Sequence, residues 1–336
     1  MVIESTAPAP VTTESLRPAT VPVGGLIAAK KSRSLTQDAI RRFLRNKASV
    51  ASLVFIAVMS LLAIFAPLVA PTHFATQDIN AVRQGQVLPG PYHWLGTDDQ
   101  LGRDILSRLI YGARISLTVG LVVPFVIVLI GVPVGLIAGY FGGKVDTFLM
   151  RIVDVLYAIP NLLFVILFVT FLKAKFQVTT GGWLLPIKNL DASWGGMLGV
   201  FIGLSVLGWL TAARLVRGQV LSLKNKEFVE AARSMGATNT RIIVRHLWPN
   251  ALPVVIVTAT LGIPAAILGE AGISFLGLGV TPPFPSWGLM IAEGVTKLRA
   301  YPHMLISPAI LLSLTVLSLN FIGDGLRDAF DPRMSK

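Results

Sequence analysis

Six stretches of this chain run free of Asp, Glu, Lys and Arg and are dense in Leu, Ile, Val, Phe and Ala. They lie at about 49–70, 115–138, 155–172, 197–213, 251–269 and 304–322. Each comes close to the ~20 residues that a helix needs to cross a hydrocarbon core. Pro124, Pro133 and Pro264 fall inside spans and are expected to kink them, which membrane helices tolerate where neighbours re-satisfy the freed carbonyls. The ten-residue alternating segments of a membrane barrel are absent. The pattern predicts an all-α polytopic membrane protein with six transmembrane helices. Composition agrees, with only 14% charged residues among 336, where soluble domains carry ~25%.

The charge balance adds a direction. A net charge of +12 could point to nucleic acid or to a membrane face. With both termini placed in the cytoplasm, 20 of the 29 Lys and Arg residues fall on the cytoplasmic side and 9 on the other. The excess is therefore a topology signal, and no nucleic-acid partner is expected. The partner that composition does imply is a lipid bilayer. Residues 1–29, rich in Ala, Pro, Thr and Val, read as a disordered cytoplasmic tail. A basic lead-in and first span follow over 30–71, then an extracytoplasmic loop over 72–113. A core of five spans covers 114–323, and 324–336 form a cytoplasmic tail.

Candidate chemistry is sparse. There is no cysteine, and the four histidines are too scattered for a metal signature. Gly142-Gly143-Lys144 resembles a phosphate loop, but Ala138 and Val145 stand where that loop needs Gly and Ser or Thr. No GxSxG elbow occurs, so no catalytic residue is expected. Arg103 and Asp104 read as a helix start with an acidic cap, with contact to an external partner protein as the alternative, and Asp154 as the opening of the third span. Glu270 closes the fifth span at its outer end. It is a candidate for the substrate path or an external gate, with simple solvation as the alternative.

The longest cytoplasmic loop runs from Arg214 to Pro249, between spans four and five. Within it, 226–235 favour helix, with Phe228, Ala231, Ala232 and Met235 on one apolar stripe and Gly236 as the stop. Two readings compete for this helix: an interfacial helix resting on lipid, and a docking helix for a partner protein. The weak stripe, without Trp or repeated Leu, favours docking.

Glu230-Ala231-Ala232, then Gly236, then Pro249 resembles the EAA loop of permease subunits in bacterial ATP-binding-cassette importers. Three further segments resemble the C-type subunit of the dipeptide, oligopeptide and nickel branch. They are Arg41–Lys47 leading into Ala66-Pro67, Leu95–Asp98 with Leu101–Ser116, and Glu270–Gly279 with Pro285–Gly288. The resemblance covers about 40–330. It implies a type I importer-permease (MetI-like) fold in the cytoplasmic membrane. The partners it implies are a homologous second permease, two ATPase subunits that hold ATP and Mg, and an extracytoplasmic substrate-binding protein. No cofactor is expected on this chain. Glu230, Ala231, Ala232, Gly236 and Pro249 would couple the ATPases to transport. Small peptides are the expected substrates, ahead of nickel, glutathione and oligosaccharides. The competing class is an ion-driven secondary carrier or channel, which would place charges deep in the spans.

Overall fold

A computed structural model describes residues 35–83, 87–98 and 100–330, with side chains from residue 39 onward; the tail expected over 1–29 lies outside them. The described residues are helical, apart from loops and one isolated bridge between Thr97 and Asp104. In chain order the helices are α1 (Leu35–Arg45), α2 (Lys47–Ile64), α3 (Ala66–Val69), α4 (Ile79–Arg83), α5 (Ile105–Phe141), α6 (Gly143–Tyr157) and α7 (Asn161–Val178). Then come α8 (Leu185–Ser193), α9 (Leu198–Leu223), α10 (Glu227–Ser234), α11 (Asn239–Ile242), a π-helical turn (Ile243–Leu247), α12 (Trp248–Phe275), α13 (Trp287–Val295) and α14 (His303–Phe330). Six are long and apolar enough to cross a membrane: α2, α5, α7, α9, α11 continued through the π turn into α12, and α14. The expected number of spans holds.

Their boundaries differ from the charge-free windows, for local reasons. The second span becomes a 37-residue helix because Asp104 caps it, accepting from the Ser107 N–H at 2.7 Å. Arg108 and Arg114 lie inside that helix and do not end it. The 72–113 loop therefore stops at residue 104. The third span starts at Asn161 rather than 155, since Pro160 separates it from the amphipathic α6. Asp154 consequently does not open a span. It sits in the last turn of α6 and pairs with Arg214 at 2.7 Å. The final helix reaches Phe330, so the tail begins later than 324.

The core forms where α5 meets α9. Gly131, Gly135 and Gly139 recur every four residues along one face of α5. A Cβ on them would come within 2.8 Å of Trp209 O, 2.6 Å of Ala213 O and 2.7 Å of Val220 Cβ. Those are closer than real side chains approach, so the two helices meet backbone to backbone. Lipid offers no hydrophobic drive between helices, and close contact of this kind supplies the attraction instead. At the end of the bundle away from α10, fully buried Trp287 of α13 plugs the bundle and donates its Nε1–H to Leu109 O at 3.1 Å.

Candidate functional site

A cavity of about 880 Å³ opens between α5, α7, α9, α12 and α14. Its wall is mostly aliphatic, with a few polar groups, among them Gln219, Asn250, Thr258 and Arg327. Gln219 lies near the end of α9, Asn250 near the start of α12 and Arg327 near the end of α14. These polar groups lie at the same end of the bundle as α10. On α12 the lining runs from Asn250 to Ala266, and on α5 it reaches Val123.

One helical turn beyond Ala266, ~5.4 Å further along α12, stands Glu270, fully buried. The Ser274 hydroxyl donates to its Oε1 at 2.6 Å, and the Ser116 hydroxyl reaches Oε2 at 3.5 Å. Ser286 lies within hydrogen-bonding reach as well. Ser274 Oγ in turn accepts from the Val280 N–H, and Ser116 Oγ from the Trp287 N–H. One carboxyl thus ties together α5, α12 and the start of α13. Simple solvation is excluded. Glu270 is not on the cavity wall; it stands above the roof.

A second, largely buried cluster ties the loop before α5 to α13. Asp98 accepts from the Leu101 N–H at 2.7 Å and pairs with Arg103 Nε. Arg108, 2% exposed, lies 3.6 Å from Asp98 and 2.8 Å from Glu293 of α13. Among the described residues Arg108 Nε has no hydrogen-bond partner, and the charges of Glu293 and Asp98 hold the guanidinium in place. Burial pushes the Asp98 carboxyl up. The Arg103 hydrogen bond, the Leu101 N–H and the charges of Arg103 and Arg108 outweigh it, leaving the group below its usual value. Arg103 and Asp104 stand out in the sequence as a helix start, whereas nothing there marks the pairing of Arg108 with Glu293. They lie far apart in the chain, and only the fold joins them.

At the opposite end, α10 projects from the bundle. Val229 and Ala232 are buried against Ile242, Leu247 and Val220. Phe228, Glu230, Ala231 and Met235 are exposed, Met235 at 81%. The expected stripe of Phe228, Ala231, Ala232 and Met235 is therefore corrected. The inward stripe is Val229 and Ala232, and the remaining apolar groups face outward. Gly236 has φ +79°. Its N–H bonds Arg233 O, and the Ala237 N–H bonds Ala232 O, which makes the Schellman closure of a helix C-terminus. A Cβ there would meet no neighbouring atom, so any constraint on this position is conformational. Thr238 then caps α11, and the Tyr140 hydroxyl pairs with Asn239 Oδ1 at 2.7 Å, fastening the segment to the end of α5.

Pro249 does not end a loop. It lies in the first turn of α12, inside a helix that already began at Asn239. Proline has no N–H for the 245 carbonyl, and the π turn sits just there. The non-helical joints are only 224–226 and 235–238, so the loop expected over 214–249 is largely helix.

Comparison with known proteins now bears on this arrangement. Residues 131–336 match the family described as the binding-protein-dependent transport system inner membrane component. The chain belongs to that family. Residues 34–86 match the N-terminal transmembrane domain of oligopeptide transport permease C. The oligopeptide transport system permease protein OppC of Bacillus subtilis is 41% identical over 92% of this chain and 93% of its own length. That of Haemophilus influenzae is 43% identical over 90% of each. The dipeptide transport system permease protein DppC of Bacillus subtilis is 40% identical over 91% of this chain and 88% of its own. A solved structure described as an inward-facing conformation of the MetNI methionine ABC transporter superposes with a TM-score of 0.50 at 22% identity. It covers 68% of this chain and 98% of that one, and the likeness supports the type I importer-permease fold. The protein is thus a multi-pass membrane protein of the C-type peptide-permease kind.

Proposed function

We propose that this chain is one of two membrane subunits of an ATP-driven importer that moves small peptides into the cytoplasm by alternating access. Its partners in this reading are a homologous permease, two ATPase subunits that bind ATP and Mg, and an extracytoplasmic binding protein. The observation that carries the reading is the split character of α10. One face is locked into the bundle by Val229 and Ala232, and the other presents Phe228, Glu230, Ala231 and Met235 at the end where the polar groups of the cavity lie. A helix that fits an ATPase groove transmits force through its fixed face and binds through its free one.

ATP and peptide must each favour one of two arrangements for energy to pass between them. The sealed outer end and the open α10 end match the state that releases peptide inward. Both termini would be cytoplasmic, as the distribution of Lys and Arg indicates. The test is reconstitution of the co-purified complex into liposomes with labelled peptide outside and ATP inside. ATP-dependent uptake that unlabelled peptides suppress, and that nickel chelates or oligosaccharides leave unchanged, is the expected result. Uptake that ignores ATP, or isolation of the chain without any ATPase, would overturn the reading.

A further inference from the structure

The helix α1 precedes the first span and takes no part in the cavity. At 100° per residue, Ala39 and Phe43 share one edge, Ile40 and Leu44 the next, and Arg41 and Arg45 the one after. Ala39 and Phe43 are buried against Ile322, Leu326, Ala329 and Phe330 of α14. Ile40 and Leu44 are 60% and 59% exposed, and Arg41 and Arg45 are exposed beside them. The helix thus has an apolar sector wider than its protein contact, and the uncovered half is edged by arginines.

Two observations say what covers it. First, α2 begins at Lys47, with Asn46 capping it by accepting from the Ala48 and Ser49 N–H groups. Only one residue separates the end of α1 from the start of a membrane span, so α1 sits at the membrane boundary. Second, residues 30–47 contain Lys30, Lys31, Arg33, Arg41, Arg42, Arg45 and Lys47 against a single acid, Asp38. A helix with an apolar stripe, a cationic edge and a place at the boundary fits a surface of hydrocarbon below and negative headgroups above.

We infer that α1 is a binding surface for anionic phospholipid: Ile40 and Leu44 enter the acyl boundary, and Arg41 and Arg45 engage the headgroups. Through Phe43 and Ala39, bound lipid would brace the end of α14, whose Arg327 and Phe330 line the cavity. The inference needs only that α2 spans the membrane, and it stands apart from the transport reading.

The chain has no cysteine, so the test uses single thiols in the full-length protein, each carrying an environment-sensitive dye. Leu44→Cys reports on α1, Met235→Cys is a water-exposed reference on α10, and Val54→Cys is a mid-span reference on α2. The proteins are reconstituted in vesicles of brominated phosphatidylcholine, with and without phosphatidylglycerol. Position 54 should be quenched in both mixtures and position 235 in neither. Position 44 should be quenched, more so with phosphatidylglycerol and less so in high salt. Arg41→Gln with Arg45→Gln leaves the buried face intact. Each arginine lost should lower the bound-to-free ratio about fivefold. Quenching at 44 no greater than at 235, or indifferent to phosphatidylglycerol, would overturn the inference. So would protection of position 44 in lipid-free detergent by co-purified subunits, since the occupant would then be protein.

Discussion

The two ends of the bundle are built on opposite terms. At the end away from α10, charged and polar groups are mostly buried and spent on one another: Asp98, Arg103 and Arg108 with the partly exposed Glu293 in one cluster, Glu270 with its serines in another. At the end that carries α10, the ion pairs are wetter. Arg214–Asp154 is about half exposed, the cavity is open, and α10 leaves half its surface free. Buried ties are costly to form and costlier to break singly, so they suit a surface that must stay shut until something displaces it. Exposed pairs exchange with water at little cost and suit a surface that must accept partners. The difference describes a bundle closed at one end and receptive at the end that carries α10.

Single substitutions should reproduce that asymmetry. Arg108→Ala removes one of the two cations that Asp98 and Glu293 share and leaves both carboxylates to Arg103 alone. A loss of about 3–5 kcal/mol is expected. Arg214→Ala, despite the 2.7 Å pair and a guanidinium 4.3 Å above the Tyr157 ring, should cost within about 1 kcal/mol. Unfolding of the two purified variants in detergent compares the ends directly, and equal losses would dissolve the contrast.

Next in size is the roof. Glu270→Leu fits the space but strands the Ser116 and Ser274 hydroxyls, at about 1–3 kcal/mol for each buried group left unpaired. Glu270→Gln keeps an acceptor and should stay near wild type. With Thr258→Cys in the cavity wall as the sole thiol, Glu270→Leu should admit a water-soluble reagent from the outer side, and Glu270→Gln should not. Labelling from outside in neither variant would show that the seal lies elsewhere.

The smallest effect is in pH. Asp98 has its folded value below the ordinary 3.8, so its contribution is present above that value and lost as pH falls through the folded one. Stability should decline on strong acidification, and Asp98→Asn should flatten that decline. An unchanged acid slope in the variant would remove Asp98 from the outer clasp.

How much of this was legible in the chain depended on range. The number of spans followed from hydrophobic runs, and the Gly236 stop followed from local backbone chemistry, because both are properties of consecutive residues. The inward face of α10 was misread because Val229 packs against Ile242 and Leu247, a partner surface made by the next helix. The glycine spacing of α5 was visible as Gly131, Gly135 and Gly139, yet its meaning needed α9 beside it. Arg108 with Glu293, and Ser116 with Glu270, are separated by more than 150 residues each. No window along the sequence could have paired them.

The proposed coupling of α10 to the cavity is open to direct measurement in the assembled transporter, again with Thr258→Cys as the only thiol in this chain. Without nucleotide the thiol should label from the α10 side, and a non-hydrolysable ATP analogue should protect it. Gly236→Val forces a β-branched residue into φ +79° and disrupts the helix closure. The complex should still assemble, but the analogue should no longer protect the thiol, and peptide uptake should be largely abolished. Full protection and normal uptake in Gly236→Val would contradict the role given to α10.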